Sequence, residues 1–441
     1  MNAAELHVQG VPVSRLAERY GTPLFVYDAE ELHSVHHRLR ELLHPAVDIF
    51  FSLKANPNIS VCAYLNSLGA GAELSSAVEL LTARRAGVAP ADMIFLGPGK
   101  TREELRACLD AGISAIVCES LAELRLLDGL AEEAGRADVP VLLRINPDFA
   151  GRGAGLTMGG KPRQFGIDAE ALRGARTELA ALRRIRVTGF HAYMGTRFLD
   201  PAHIVANTRR ILDLAEELSR TLDVPLETVD IGGGLGVAYF DNEKDFDLGE
   251  LTGGLNAAVE PFVRAHPGCR LITELGRYLT ATAGRYVTRA LYVKESMGET
   301  FVVADGGTNH IMPAVGIGGF VKRNFPIRSL SRYDAEPTHA YTVTGPLCTP
   351  SDVIAKRVAL PAVEPGDLIG VERAGAYGPS ASPGHFLGHG FPAEVLVHRG
   401  VPHLVRERDT AEDLLVRQRL VDLEPDPDPD LEPARNRNGS A

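Results

Sequence analysis

Long apolar runs are missing from this chain. No stretch approaches the ~18 consecutive apolar residues that a membrane-spanning helix needs, so no membrane partner is expected. The opening segment, MNAAELHVQG, has no basic stretch followed by an apolar core. A secretory signal is therefore not expected, and a cytoplasmic location is. Cysteine is scarce and scattered: Cys62, Cys108, Cys118, Cys269 and Cys348 include no C-x-x-C pair. That spacing argues against structural zinc and against a disulfide framework. Positive charge is not in excess either. Lys and Arg number 46 against 57 Asp and Glu, a net charge of −11, which disfavours nucleic acid or an anionic membrane as the main partner. His385 and His389 stand four apart, but Pro383, Gly384 and Gly388 argue against the helix that would make them a metal pair, and no metal is expected.

Apolar residues make up 45% of the chain, enough for a full hydrophobic core. At roughly 150 residues per domain, 441 residues allow two or three domains. Short β-rich runs alternate with helical stretches: Asp48–Lys54, Ala72–Ser75, Met93–Gly97, Ala115–Glu119, Val141–Asn146, Val187–Ala192, Thr228–Gly232 and Leu271–Leu275. Several are nearly continuous apolar stretches, as in parallel strands covered on both faces. Arg102–Ala111, Leu121–Ala134 and Ile204–Leu218 are amphipathic and long enough to be crossover helices. The pattern predicts a closed (β/α)8 barrel over residues 28–277; a doubly wound open sheet is the alternative. Beyond Gly276, the segments Arg285–Val293, Thr300–Ala304, Ala340–Thr344, Val353–Ala359, Leu368–Val371 and Ala393–Val397 read as strands of a second, mainly β domain. That domain is expected over residues 278–420 together with 1–27, where Leu24–Tyr27 adds a strand. Residues 421–441 are acidic and Pro-rich, the composition of a disordered tail.

In such barrels reactive residues gather where strands end. Lys54 closes the first strand; burial would lower its pKa and make the amine a nucleophile for an aldehyde cofactor, unless the side chain simply reaches solvent. Gly232-Gly233-Gly234-Leu235-Gly236 follows the seventh strand, where backbone N–H groups approach a phosphate, or where the chain merely turns. Glu274, ending strand eight, suits a pyridine nitrogen, and Arg277 a phosphate or carboxylate; an ion pair between the two is the plainer reading. His191 ends strand six and either lies against an aromatic ring or is a hydrogen-bonded core residue. Cys348, among Gly and Pro in GPLCTPSD, reads as an exposed, shaped site or as inert filler. His33, His36 and His37 read as one solvated helix face.

Together these segments resemble fold type III pyridoxal-phosphate (PLP) decarboxylases, the ornithine and diaminopimelate decarboxylase family with its alanine-racemase-like barrel. FFSLKANPN is similar to the PLP-lysine segment, HAYMGT to the His-x-Gly-Ser loop, DIGGGLG to the phosphate loop and ELGRYL to the Glu-x-Gly-Arg motif; GPLCTPSD and GAYG resemble second-domain motifs. The resemblance implies that Lys54 holds PLP as a Schiff base and His191 stacks on its ring. Gly234, Gly276, Arg277 and Tyr377 would hold the phosphate, and Glu274 would pair with the ring nitrogen. Arg277, Cys348 and Tyr377 would also meet substrate, with Cys348 reaching across a homodimer interface as proton donor. A glutamate at the ring nitrogen favours decarboxylation over the racemase alternative, where that position holds arginine. A non-catalytic PLP-binding protein is a further alternative, and Cys348 and Tyr377 in a second domain speak against it.

Two departures bear on the substrate. Thr349 stands where the family carries an acidic residue beside the motif cysteine, which puts a free diamino acid such as diaminopimelate, lysine or ornithine in doubt. Tyr193 and Met194 are extra residues in the histidine loop. LGPGKT, GLTMGGKPRQFGID and SPGHFLGH resemble a smaller branch that decarboxylates glutamate thioesterified to an acyl carrier protein, a specialised biosynthetic role. On that reading the glycine-rich loop from Pro147 to Asp168 closes over a bulky substrate, with Arg152, Lys161 and Arg163 meeting carrier phosphates.

Overall fold

The computed structural model describes residues 4–151, 153–315 and 323–421. The expected tail, apart from Val421, and Arg152 lie outside the described residues. Eight parallel strands close on themselves in chain order: Val47–Ser52, Gly71–Leu74, Met93–Phe95, Ala115–Cys118, Val139–Asn146, Ile185–His191, Thr228–Gly233 and Arg270–Leu275, which returns to pair with the first. The barrel predicted from alternation is therefore the fold, and the open sheet is not. Alternation along each strand divides the core in two. Phe50, Ile94, Val117, Leu142 and Ile272 fill the barrel interior as one buried cluster, while their neighbours Ile49, Phe51, Phe95 and Ile116 pack outward.

Local chemistry sets where the helices start and stop. Thr101 and Glu104 form a capping box at the head of Arg102–Ala111, and Gly112 ends that helix in the left-handed conformation. Asp200 caps Pro201–Leu222, whose proline needs no N–H at the first position. The histidine face divides. His33 and His37 are exposed, but His36 is buried beside Leu32 and Leu39 on the core side of helix Ala29–Leu42. Burial pushes its pKa down to about 4, so it packs as a neutral ring.

The second domain is a separate, mainly β unit built on the long strand Gly284–Ser296, which pairs with Glu299–Ala304, Leu368–Val371 and Leu24–Asp28. Leu24–Asp28 also runs parallel to Ala393–His398, so the beginning of the chain is stitched into this sheet. The edge strand Val401–Arg406 was not expected from the sequence; Pro402 interrupts it, and Val401, His403 and Leu404 are all exposed, so apolar and polar positions do not alternate. The two units meet behind the first barrel strand, where Asn56 Nδ2 donates to Gly375 O at 3.0 Å and Tyr377 N to Ala55 O at 2.7 Å. Among the described residues no helix is long and apolar enough to cross a membrane.

Candidate active site

Lys54 is not on the strand. Val47–Ser52 ends first, and Leu53–Ala55 makes a 3-10 turn closed by Asn56 N donating to Leu53 O, with Pro57 just beyond. The turn lifts Lys54 into the barrel mouth, where Nζ lies 3.0 and 3.2 Å from the two carboxylate oxygens of Glu73. Glu73 is fully buried, while the Lys54 side chain is 34% exposed. Ser75 Oγ also donates to Glu73. The expected fall in the lysine pKa does not occur. Burial does disfavour the ammonium, but Glu73, helped by Glu274, Tyr193 and Tyr377, outweighs it and raises the pKa well above the usual lysine range. The reason is the buried carboxylate, which a strand-end reading of Lys54 alone could not supply. Behind Glu73, Glu79 accepts from Ser75 N; burial and the charge of Glu73 push its pKa up to about 7.

Across the mouth, His191 Nε2 donates to Glu274 Oε1 at 3.0 Å, both side chains essentially without solvent contact. The residues expected at the ring face and the ring nitrogen are thus bonded to one another. Asp230 joins them, with a ring nitrogen or carboxylate oxygen of each of the three within 4.8 Å of the others. Burial opposes ionisation of Glu274, but His191, Lys54 and Arg144 overcome it and hold its carboxyl below the usual range. Asp230, buried and facing that charge, is pushed well above its ordinary value. Its Oδ1 accepts from Gly232 N at 2.8 Å, and Oδ2 has no donor among the described residues. Beside the charged Glu274 the uncharged form of Asp230 is favoured, and that lets the two carboxyls sit together.

Arg277 does not pair with Glu274. Its guanidinium lies 5.6 Å from the centre of the Tyr239 ring and 4.6 Å from that of Tyr377, with Nη1 donating to the Tyr239 hydroxyl. Its Nε and His191 Nδ1 are buried without partners among the described residues. Tyr377 takes a left-handed φ of 58° and is tied to the Lys54 turn through Ala55. Gly234 has φ +85°, and a Cβ there would fall 2.0 Å from Gly195 O; one at Gly276 would meet the Ala55 methyl at 2.7 Å. Neither turn has room for a side chain. An open guanidine N–H, a glycine turn, a buried carboxylate and an amine around one mouth fit the phosphate, ring nitrogen and aldehyde of PLP. Gly234→Ala is expected to weaken PLP binding about tenfold or more, because strain of 1–3 kcal/mol falls on this turn; an absorbance titration checks it.

Cys348 stands elsewhere. It is exposed on the turn Gly345–Asp352 of the second domain, as its Gly and Pro neighbours suggested. Asp352, buried, shapes that turn by accepting from Leu347 N, Thr308 N and Thr308 Oγ1. The glycine-rich loop is docked on the barrel. Leu156–Thr157 pairs antiparallel with Gly195–Thr196, and Asn146 ties its later part through Gly160 N, Lys161 O and Asp168. Sequence reading passed over Glu73 and Asp230. Each sits two residues before a strand-end position that was noticed, Ser75 and Gly232, and the period of two along a strand was the available signal.

A closed (β/α)8 barrel with a lysine, an ionised carboxylate and a glycine turn at its mouth, joined to a β domain, is the architecture of alanine-racemase-like PLP enzymes. Residues 29–281 match the family described as pyridoxal-dependent decarboxylase, pyridoxal binding domain, and the chain belongs to that family as a PLP-dependent decarboxylase of the ornithine and diaminopimelate decarboxylase group. Among its relatives, the L-glutamyl-[BtrI acyl-carrier protein] decarboxylase of Niallia circulans is 37% identical over 417 residues, 94% of this chain and 97% of that protein. The diaminopimelate decarboxylase of Zymomonas mobilis is 32% identical over 424 residues, 95% of this chain and 97% of that one. The crystal structure of the Methanocaldococcus jannaschii diaminopimelate decarboxylase superposes with a TM-score of 0.87 at 27% identity, covering 95% of this chain and 96% of that one.

Proposed function

We propose that this chain removes the α-carboxylate of an amino acid with the help of PLP held at Lys54. The observation that carries the reading is the arrangement of the mouth, with the Lys54 amine seated on Glu73 and the ionised Glu274 opposite. When bound, PLP supplies an electron sink for the pair left on Cα as CO₂ departs. The chain's residues do the rest. Lys54 is the amine that would hold the aldehyde carbon until a substrate amine replaces it. Glu274 would keep a proton on the ring nitrogen, and the His191 imidazole would pack against the ring. Arg277 Nε, with the turns at Gly234 and Gly276 and the Tyr377 hydroxyl, binds the phosphate; Arg277 and Tyr377 also border the substrate. Cys348, exposed on its turn, reaches the mouth of a second copy and returns a proton to Cα, which makes the working unit a homodimer.

For the substrate, likeness to diaminopimelate decarboxylases along nearly the whole chain supports a free amino acid of that type. A second reading is favoured by Thr349, which offers no charge to a cationic distal end, and by the 37% identity to a carrier-dependent glutamyl decarboxylase. On that reading the acyl carrier protein is the partner and the docked loop 147–168 faces it. CO₂ release should be compared for diaminopimelate, lysine, ornithine, free glutamate and a glutamyl-carrier thioester. Fastest release from a free diamino acid supports the first reading; release from the thioester alone replaces it with the second. Release from none of them rejects both substrate readings.

A further inference from the structure

Tyr193 belongs to the two extra residues of the histidine loop, and its backbone is clamped from both sides. Below it, a Cβ on Gly232 would come within 2.6 Å of Ala192 O and 3.1 Å of the Tyr193 Cα and Cδ2, so only the glycine lets Tyr193 lie down on the end of the seventh strand. Above it, the glycine-rich loop closes down: Met158 N donates to Met194 O at 3.0 Å, and a Cβ on Gly159 would press on Tyr193 O at 3.2 Å. Held this way, the Tyr193 ring faces Lys54, with Nζ 5.5 Å from its centre. The Lys54 amine therefore rests between an aromatic face and the Glu73 carboxylate. A ring at this distance stabilises an ammonium but does little for the neutral amine.

We propose that Tyr193 positions Lys54, its ring forming the wall on which the amine rests, charged and paired with Glu73, whenever it is not bonded to the cofactor. The inference rests on the reading of Lys54 given above and adds a residue that the family's motif does not contain. The titratable groups whose charge acts on the amine are Glu73 from the second strand, Glu274 from the eighth, Tyr377 from the second domain and Tyr193 itself, of which Glu73 and Tyr193 touch it. Among the described residues only Tyr193 sets a ring face against the amine, and that face can be removed while every other charge stays in place.

The test follows covalent attachment of added PLP to the full-length protein, trapped with borohydride and located by peptide mapping, as a function of pH. Attachment needs the neutral amine, so the profile reports how firmly the ammonium is held. Tyr193→Leu, which keeps bulk and loses the aromatic face, is expected to make the neutral amine about threefold to tenfold more abundant and to displace the profile to lower pH by that factor. Tyr193→Phe keeps the face and, because burial holds the Tyr193 hydroxyl protonated and uncharged, should leave the profile in place. Should the leucine variant fail to fold, Tyr193→Trp carries the test, its stronger face moving the profile to higher pH. Superimposed profiles for all foldable variants overturn the inference, as does a phenylalanine shift equal to the leucine one. Wild-type label at Lys54 with unmoved variants overturns Tyr193 alone; absence of label at Lys54 overturns the functional reading with it.

Discussion

Lys54→Arg yields a folded protein that keeps its charge opposite Glu73, leaves no PLP fixed by borohydride and releases CO₂ at least ~10³-fold more slowly than the parent chain. Arginine is the informative replacement. Alanine would strand the buried Glu73 carboxylate without its partner and confuse lost chemistry with lost stability. Guanidinium preserves the ion pair but cannot hold an aldehyde carbon as a primary amine does. Lys100 could not substitute, since it is buried and bonded to Gly97 O, Val117 O and Glu123. The pH dependence has a definite sign. Glu73 raises the Lys54 pKa, so attachment of PLP quickens as pH rises through the alkaline range. Glu73→Gln removes the negative partner, lowers that pKa and moves the onset to lower pH. Label recovered from the arginine variant would place the reactive amine elsewhere.

What could be read in the chain before folding, and what could not, follows from the range of the signals. The barrel was legible because each strand is an apolar run ended by polar or glycine residues, a pattern contained within a few positions. The same pattern drew attention to the strand-end positions of Lys54, His191, Gly234, Glu274 and Arg277, while Gly276 entered only through the resemblance to the Glu-x-Gly-Arg motif. The electrostatics was not. Whether Lys54 is held charged or poised neutral depends on Glu73, nineteen residues away, and the bond between His191 and Glu274 spans 83 positions. Spacing in sequence suggested that Glu274 and Arg277 pair, but the loop after the seventh strand brings Tyr239, and the second domain Tyr377, to Arg277 instead. His36 misled in the opposite direction. Its polar neighbours at 33 and 37 belong to the solvent side of the helix, while its own position falls with Leu32 and Leu39.

Glu274→Gln is expected to lower CO₂ release by about 10²–10³-fold, because it removes the charge that keeps the ring nitrogen protonated. Glutamine still accepts from His191, so the geometry around the histidine survives. Asp230 gives the prediction a second, sharper part. Its pKa is raised first by burial and then by the charge of Glu274; when that charge is gone, Asp230 ionises more readily and becomes a partial stand-in. Glu274→Gln combined with Asp230→Asn should therefore be worse than Glu274→Gln alone. Asp230→Asn by itself should cost less than about tenfold, since asparagine reproduces the uncharged acid and its Oδ1 still accepts from Gly232 N. Steady-state rates of the three variants, with PLP content measured beside each, decide the matter. If Asp230→Asn proves as damaging as Glu274→Gln, the charge resides on Asp230, and the roles of the two carboxyls are exchanged.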